Sequence, residues 1–318
     1  MSKTVCVFGG GGKIGRRAVE TLLTQGYQVR ALVHRTPIDD ERVVGIAGSV
    51  TDAKAVEEAV RGAQMVVQMA TAKEDPETFF DVSLKGTFHI LEACRNQGVE
   101  QFLLLGGDAA LGIWMYPQSD PIDESHPLTA YPGYYAFSKV LEEAMTQQYH
   151  VQYGLPFTVL RSSWVFEGRD LLDHFSIVKN VGPVEKGHGF GEVSAEVREL
   201  ARAGQERIPV LLDVESRPLK RHLVHIDDVM QAFRLMIGNP AALGEVFNIA
   251  AAEPIDYREA GEYLSKLTGI PTVEIPCPDY HSFRIDIGKA RRVLGYAPEN
   301  DIFRIADRAV EVAQLASQ

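Results

Sequence analysis

Cysteine, tryptophan and long apolar runs are scarce in this chain, and basic residues are outnumbered by acidic ones. The 3 cysteines among 318 residues are Cys6, Cys94 and Cys277. Their odd number and wide spacing exclude a disulfide framework and the paired spacing of a structural zinc site. Cys6 and Cys94 fall in strand-like and helix-like segments and read as small buried hydrophobes, which suits a reducing compartment; Cys277 falls in a loop. No apolar stretch reaches membrane-spanning length. The first strand-like run begins by residue 4, with no signal-type apolar segment before it, so the expected location is the cytoplasm. With 32 Lys and Arg against 43 Asp and Glu, the formal charge of -11 opposes nonspecific binding to nucleic acid or an anionic membrane. There are no internal repeats or low-complexity tracts.

What the chain has is apolar material in a regular rhythm. Its hydrophobic fraction is 45%, enough for a large core and for a cofactor domain with a smaller appended region. Strand-like runs at TVCVFG, QVRALV, MVVQMA, QFLLLG and FTVLRS alternate with helix-period segments around residues 13 to 25, 52 to 60, 77 to 97 and 133 to 153. That alternation predicts right-handed βαβ units and a Rossmann-type doubly wound parallel sheet, with a binding crevice beyond the carboxyl ends of its strands. After residue 166 the rhythm fails, and EGRDLLDHFSIVKNVGPVEKGHGFGEVSAEV reads as a substrate-side insert. Regularity returns at RHLVHIDDVMQAFRLMIGN, where Asp227 is the expected helix N-cap, and at the strand EVFNIA. The expected division is residues 1–166, with 220–250 returning, as the dinucleotide-binding part. Residues 167–219 and 251–318 then form a smaller α/β substrate-binding region.

Between the first strand and first helix stands VFGGGGKIGRRAV. Glycines there permit a tight turn and let main-chain N–H groups and a helix N-terminus approach a pyrophosphate. Two registers fit, Gly10-x-Gly12-x-x-Gly15 and Gly9-x-x-Gly12-x-x-Gly15. Much later, YYAFSK places Tyr135 and Lys139 four apart, on one face of a helix. A free phenol titrates near 10, so a neighbouring ammonium is needed if it is to work as a base near neutrality. With 11 tyrosines in the chain, about 0.4 such pairs arise by chance. The order of glycine loop, strands, LLLGGDAALG and then the pair is what strengthens the reading.

Through GGGGKIG, GTFHILEA, YYAFSK, RHLVHIDDV and KARRVLGY the chain resembles the extended short-chain dehydrogenase/reductase family, in its NAD-dependent epimerase/dehydratase group. The resemblance implies Tyr135 as general acid/base, with Lys139 lowering its pKa and bonding the nicotinamide ribose. It also places Gly9, Gly12, Lys13, Ile14 and Gly15 at the pyrophosphate, Ser49 and Val50 at the adenine, and Ala70 and Thr71 at the middle of the cofactor. The chain departs from the family at Gly107, where a Ser or Thr is usual. Asp108 next door either handles a substrate hydroxyl or caps a turn, and Ser138, Tyr134 and Tyr131 are further local candidates. Trp164 replaces an expected Asn and either stacks on a sugar face or packs beneath the insert. Arg221 matches a phosphate-contacting arginine, or else forms a solvated basic turn with Arg217 and Lys220.

At the end of the second strand an acid would bond the ribose 2′-hydroxyl, but ALVHRTP offers His34 and Arg35, with Arg16 near, which favours NADP; Asp39 and Asp40 are carboxylates that would suit NAD. The acidic clusters DPIDESHP and HIDD lack metal-ligand spacing, so no metal is expected, and the first reads as a solvated loop. The leading expectation is an NAD(P)-dependent oxidoreductase of a sugar, sugar acid or related polyol or carbonyl compound. GIWMYPQSDPIDESHP resembles the corresponding loop of uronate dehydrogenases. The alternatives are a nucleotide-sugar epimerase or dehydratase with tightly held NAD, and an NmrA-like NADP-sensing binding protein. The family resemblance also implies a homodimer through the helices at 77 to 97 and 133 to 153.

Overall fold

A computed structural model describes residues 2–181, 190 and 193–316. Part of the expected insert, residues 182–189 and 191–192, lies outside the described residues. Six strands come first: β1 (Thr4–Phe8), β2 (Gln28–Val33), β3 (Val43–Ala47), β4 (Met65–Gln68), β5 (Gln101–Gly107) and β6 (Phe157–Ser162). They are followed by β7 (Trp164–Phe166), β8 (Ile208–Leu212), β9 (Lys220–Arg221), β10 (Leu223–His225) and β11 (Glu245–Ile249). The central sheet has seven strands in the order β11-β6-β5-β4-β1-β2-β3, and all its pairs are parallel. This is the expected Rossmann-type sheet. Strand order reverses between β1 and β4, and a ligand crevice forms where loops leave the two carboxyl ends in opposite directions.

The sheet is covered on both faces because its strands are apolar on both. One face packs α1 (Lys13–Thr24) and a later helix spanning 226–236; the other packs α2 (Ala53–Val60), α3 (Gly86–Gln97) and α4 (Tyr134–Tyr153). Phe102 and Leu104 are fully buried and Leu103 is nearly so, each such side chain contributing about 1.5–3 kcal/mol by leaving water. The segment expected as one helix at 77 to 97 is a π-helical stretch, Phe79–Lys85, running into α3. At the junction Gly86 lies so close to Val50 that a Cβ would meet its Cγ2 at 2.7 Å. The strand β3 is not among the expected runs; VVGIA is a short edge strand whose residues are exposed or half-buried.

A second core gathers Phe166, Leu171, Phe175, Ile177, Val197, Leu211, Tyr257, Leu264 and Ile305. It is built by α5 (Asp170–His174), α6 (Ile177–Val181), α7 (Ala195–Arg202), α9 (Tyr257–Thr268) and α11 (Ile302–Leu315), with α8 (Ile226–Met236) and α10 (Gly288–Leu294) packing instead against the sheet. The short strands β12 (Ile255–Asp256) and β13 (Thr272–Pro276) pair with β9 and β8. Helix α8 begins two residues earlier than its expected cap allows. His225 is the N-cap and accepts from the Asp227 N–H at 3.2 Å. Asp227 is thereby freed to take Arg17 at 2.6 Å and Arg308 at 2.8 Å, tying α1 to α11. The DPIDESHP loop is not simply solvated. Ile122 is fully buried and the Glu124 carboxylate accepts from the Asn248 N–H at 2.9 Å.

Candidate active site

At the carboxyl end of β1 the glycine loop settles the question of register. Gly9 has φ +82°, and a Cβ on it would lie 2.7 Å from the Ala70 nitrogen. A Cβ on Gly15 would lie 2.1 Å from the Gly9 carbonyl oxygen. Gly12 donates to that same carbonyl at 3.1 Å and caps α1 with bare backbone. Gly9, Gly12 and Gly15 therefore form the tight turn, which favours the second of the two registers. An α-helix leaves its first N–H groups without intrahelical partners, so this end of α1 suits an anion. The fit to a dinucleotide pyrophosphate is good, since a side chain would fill the cradle. Ile14 packs against the sheet core, while the Lys13 ammonium turns to Asp170 and to the Val165 carbonyl.

Of the neighbouring positions expected at the cofactor, Ala70 touches the loop itself. Ala70 backs onto Gly9 and is pinned by Gln68, whose amide bonds the Ala70 N–H at 3.1 Å and its carbonyl at 2.9 Å. Thr71 bonds the Ser83 hydroxyl at 3.2 Å. Ser49 bonds Thr51, and buried Val50 uses its carbonyl to hold His89. His34 and Arg35 are exposed beyond β2, and Arg16 reaches the Gly11 carbonyl at 3.2 Å. Asp40 is held by Arg42 through two contacts of 2.9 and 2.6 Å.

Across the crevice, α4 brings Tyr135 and Lys139 to the end of β5. A Cβ on Gly107 would lie 3.6 Å from the Tyr135 hydroxyl. Lys139 is 4% exposed, donates to the Leu105 carbonyl at 3.0 Å and to Glu142 at 2.9 Å, and stands 5.6 Å from the Tyr135 ring centre. Burial pushes the Tyr135 phenol above its ordinary value, while the Lys139 charge pulls it down. Lys139 is held protonated by the adjacent Glu142 carboxylate against the opposing effect of burial. Ser138 turns away to bond the Tyr135 carbonyl at 2.8 Å, and Tyr134 is 43% exposed on the outer face. Neither of these local candidates faces the crevice chemistry.

Asp108 is buried and accepts from the Ser163 hydroxyl at 3.0 Å. Burial raises its carboxyl to about 6, with Arg221 and Ser163 pulling the other way. Arg221 is 7% exposed, so it is not part of a solvated turn with Arg217 and Lys220, which are exposed. Its guanidinium is sandwiched 4.7 Å from the Trp114 ring centre and 4.5 Å from that of Trp164, stacking that suits a planar, weakly hydrated cation. Its Nε is buried with no partner. Trp164 is 43% exposed, so it covers Arg221 rather than packing wholly beneath the insert. Tyr131 closes one side by stacking 4.6 Å from Trp114. Trp114 itself has φ 55°, a left-handed conformation costly for a bulky residue.

Several pocket residues gave no signal in the sequence. Ser163 supplies the hydroxyl beside Asp108, Trp114 supplies one of the two rings over Arg221, and Tyr257 meets the guanidinium edge while bonding His174 at 2.7 Å. Burial lowers His174 to about 3, so it stays neutral near pH 7. Cys6, Cys94 and Cys277 are free and buried, with Cys6 and Cys277 each pushed up to about 12 by burial. No cluster able to hold a metal occurs among the described residues, and none of their helices is long and apolar enough to cross a membrane.

Known proteins share both this architecture and its sequence. A short-chain dehydrogenase/reductase superfamily protein from Agrobacterium tumefaciens, solved with bound NAD, is 24% identical and superposes with a TM-score of 0.86 over 99% of this chain and 98% of that one. A UDP-glucose 4-epimerase from Thermotoga maritima, solved with UDP-glucose, is 22% identical with a TM-score of 0.75 over 99% of this chain and 100% of that one. A putative UDP-glucose 4-epimerase from Methanocaldococcus jannaschii is 24% identical over 319 residues, which cover 94% of each chain. Residues 5–250 match the NAD dependent epimerase/dehydratase family. With its seven-stranded parallel sheet and its Gly9–Gly15 turn, the chain belongs to that family, an enzyme family of the extended short-chain dehydrogenase/reductase type.

Proposed function

We propose that the protein is an NAD(P)-dependent oxidoreductase of a sugar, sugar acid or related polyol or carbonyl compound. The observation that carries this reading is the Tyr135 hydroxyl at the Gly107 end of β5 with Lys139 one turn behind it, opposite the glycine cradle. Gly9, Gly12 and Gly15 would hold the pyrophosphate, Ser49 and Val50 the adenine, and Ala70 and Thr71 the central part of the cofactor. The nicotinamide, when bound, supplies the hydride-accepting or hydride-donating carbon. Tyr135 relays the hydroxyl proton at its phenolic oxygen, and Lys139 supports the phenolate and bonds the ribose. Asp108 and Ser163 orient the substrate hydroxyl, compensating for the missing side chain at Gly107.

His34, Arg35 and Arg16 support a preference for NADP, because they offer cations where an acid would otherwise bond the ribose, and because Asp40 is already engaged by Arg42. Arg221 supports a second reading. A buried guanidinium with an unpartnered Nε suits an anionic substrate group, as in a nucleotide-sugar epimerase or dehydratase with retained NAD. We read residues 1–166 and 220–250 as the cofactor part, with 167–219 and 251–318 shaping the substrate side. Phe80, Phe88, Phe137 and Tyr153 lie 63%, 46%, 46% and 51% exposed on the helices through which a second copy would dock, supporting a homodimer.

A screen crossing NADP and NAD with free sugars, sugar acids and nucleotide sugars tests the reaction. Net cofactor reduction with a free sugar or sugar acid is the expected result. Isomerisation of a nucleotide sugar without net reduction would replace the first reading with the second. A monomer mass at all concentrations in sedimentation would remove the dimer.

A further inference from the structure

Glu142, which favours the protonated form of Lys139, is fully buried one turn beyond it. One carboxylate oxygen accepts from the Lys139 ammonium at 2.9 Å, and the other, Oε1, is buried without a partner. The next residue, Glu143, is different in kind: both its oxygens are bonded by Arg161, at 2.8 and 2.5 Å, as a closed structural pair. A buried carboxylate with an unsatisfied oxygen is costly to fold, and a hydrophobic residue of similar size would avoid that cost. Its position beside Lys139 supplies a reason for its presence.

We propose that Glu142 is a positioning residue that anchors the Lys139 ammonium, keeps it charged, and through that ammonium sets the proton affinity of Tyr135. Two of the three ammonium protons point to Leu105 and Glu142, leaving one for the crevice. The Glu142 charge offsets part of the lysine's field at Tyr135, but the pull of Lys139 is the larger of the two, so keeping Lys139 charged makes Tyr135 easier to ionise. Other charged or titratable groups around Tyr135 are Asp108 from the end of β5, Lys139 on its own helix, Tyr131 from the preceding loop, Arg221 across the pocket, and Glu74, which accepts from the Tyr134 N–H at 2.8 Å.

The role rests on the reading of Tyr135 as the acid/base of the proposed function, but its test does not require the substrate. The ionisation of Tyr135 is followed by NMR of ring-labelled tyrosine, assigned by difference from Tyr135→Phe, with and without NADP. Glu142→Gln retains an acceptor without charge, and Glu142→Met fills the volume without either. In whichever variant remains folded by circular dichroism, burial should then discharge Lys139 and the Tyr135 midpoint should rise by about one pH unit, a tenfold change in proton affinity. Glu142→Asp should leave it near the parent value. A folded charge-removal variant with an unmoved midpoint, or loss of fold in both, would assign Glu142 to structure alone and overturn the proposal. If NADP moves Tyr135 in no variant, the proposed function fails while the Glu142 comparison still reads out.

Discussion

The two walls of the crevice are made of opposite materials. The wall at Gly9, Gly12 and Gly15, proposed to hold the cofactor, is backbone, tight enough that a single Cβ at Gly15 would lie 2.1 Å from a carbonyl oxygen. The wall proposed to face the substrate is side chain: Asp108 from the end of β5, Trp114 from the loop that follows, Ser163 and Trp164 after β6, Arg221 on β9 and Tyr257 on α9. A backbone wall fails by steric overlap and does so abruptly. A wall of buried charges fails electrostatically, and its state follows pH. One scaffold can thus keep the same cofactor grip while the opposite wall changes its substrate.

Substitutions on the two walls should separate these behaviours. The largest effect is expected for Tyr135→Phe, which should cost about 10²–10⁴ in turnover, the usual worth of general acid/base catalysis, while cofactor affinity changes less than about threefold. Comparable losses in both would place Tyr135 in the cofactor grip instead. Gly15→Ala should do the reverse, costing about 3 kcal/mol or more in fold stability or in NADP affinity, as read by melting and cofactor titration. An unaffected Gly15→Ala protein would show that the loop can yield.

Asp108→Asn should have a smaller, pH-dependent effect. The carboxyl is raised to about 6 in the fold, above the ordinary value near 3.9. Between those values the folded state holds more protons than the unfolded chain, so its stability falls as pH rises through that window. The variant should therefore gain about 2 kcal/mol over the parent above pH 6 and lose that gain below about pH 4, checked by melts across the range. His174 and His222 carry the opposite sign. Burial depresses them to about 3 and about 4, so their stability contribution is complete above the ordinary value near 6.5 and is lost as pH falls. Each should cost about 1 kcal/mol by pH 5.5, and His222→Phe should flatten that slope.

The same contrast explains what could be read from the chain. The glycine loop, Tyr135 and Lys139 are legible because each is a local pattern whose spacing sets its geometry, a turn before a helix or one helical face. The substrate wall is not, because β9, β10 and β7 bring Arg221 beside Trp164 only after more than fifty intervening residues have folded. Arg217, Lys220 and Arg221 look alike in sequence, and pairing of β9 with β12 is what places Arg221 in the interior. Strand β3 is apolar but short and lies at the sheet edge beside β2, and nothing in its five residues separates an edge strand from a loop. The start of α8 moved because the His225 imidazole accepts from the Asp227 N–H and so caps the helix two residues before the expected carboxylate.

A crystal structure of the protein with NADP bound and a substrate analogue in the crevice would test the account most directly. The expected result has the pyrophosphate at the Gly9–Gly15 turn, Lys139 on the nicotinamide ribose, and the Tyr135 hydroxyl within about 3 Å of the reacting oxygen. A nicotinamide ring seated away from Tyr135, with another side chain at the reacting oxygen, would contradict it.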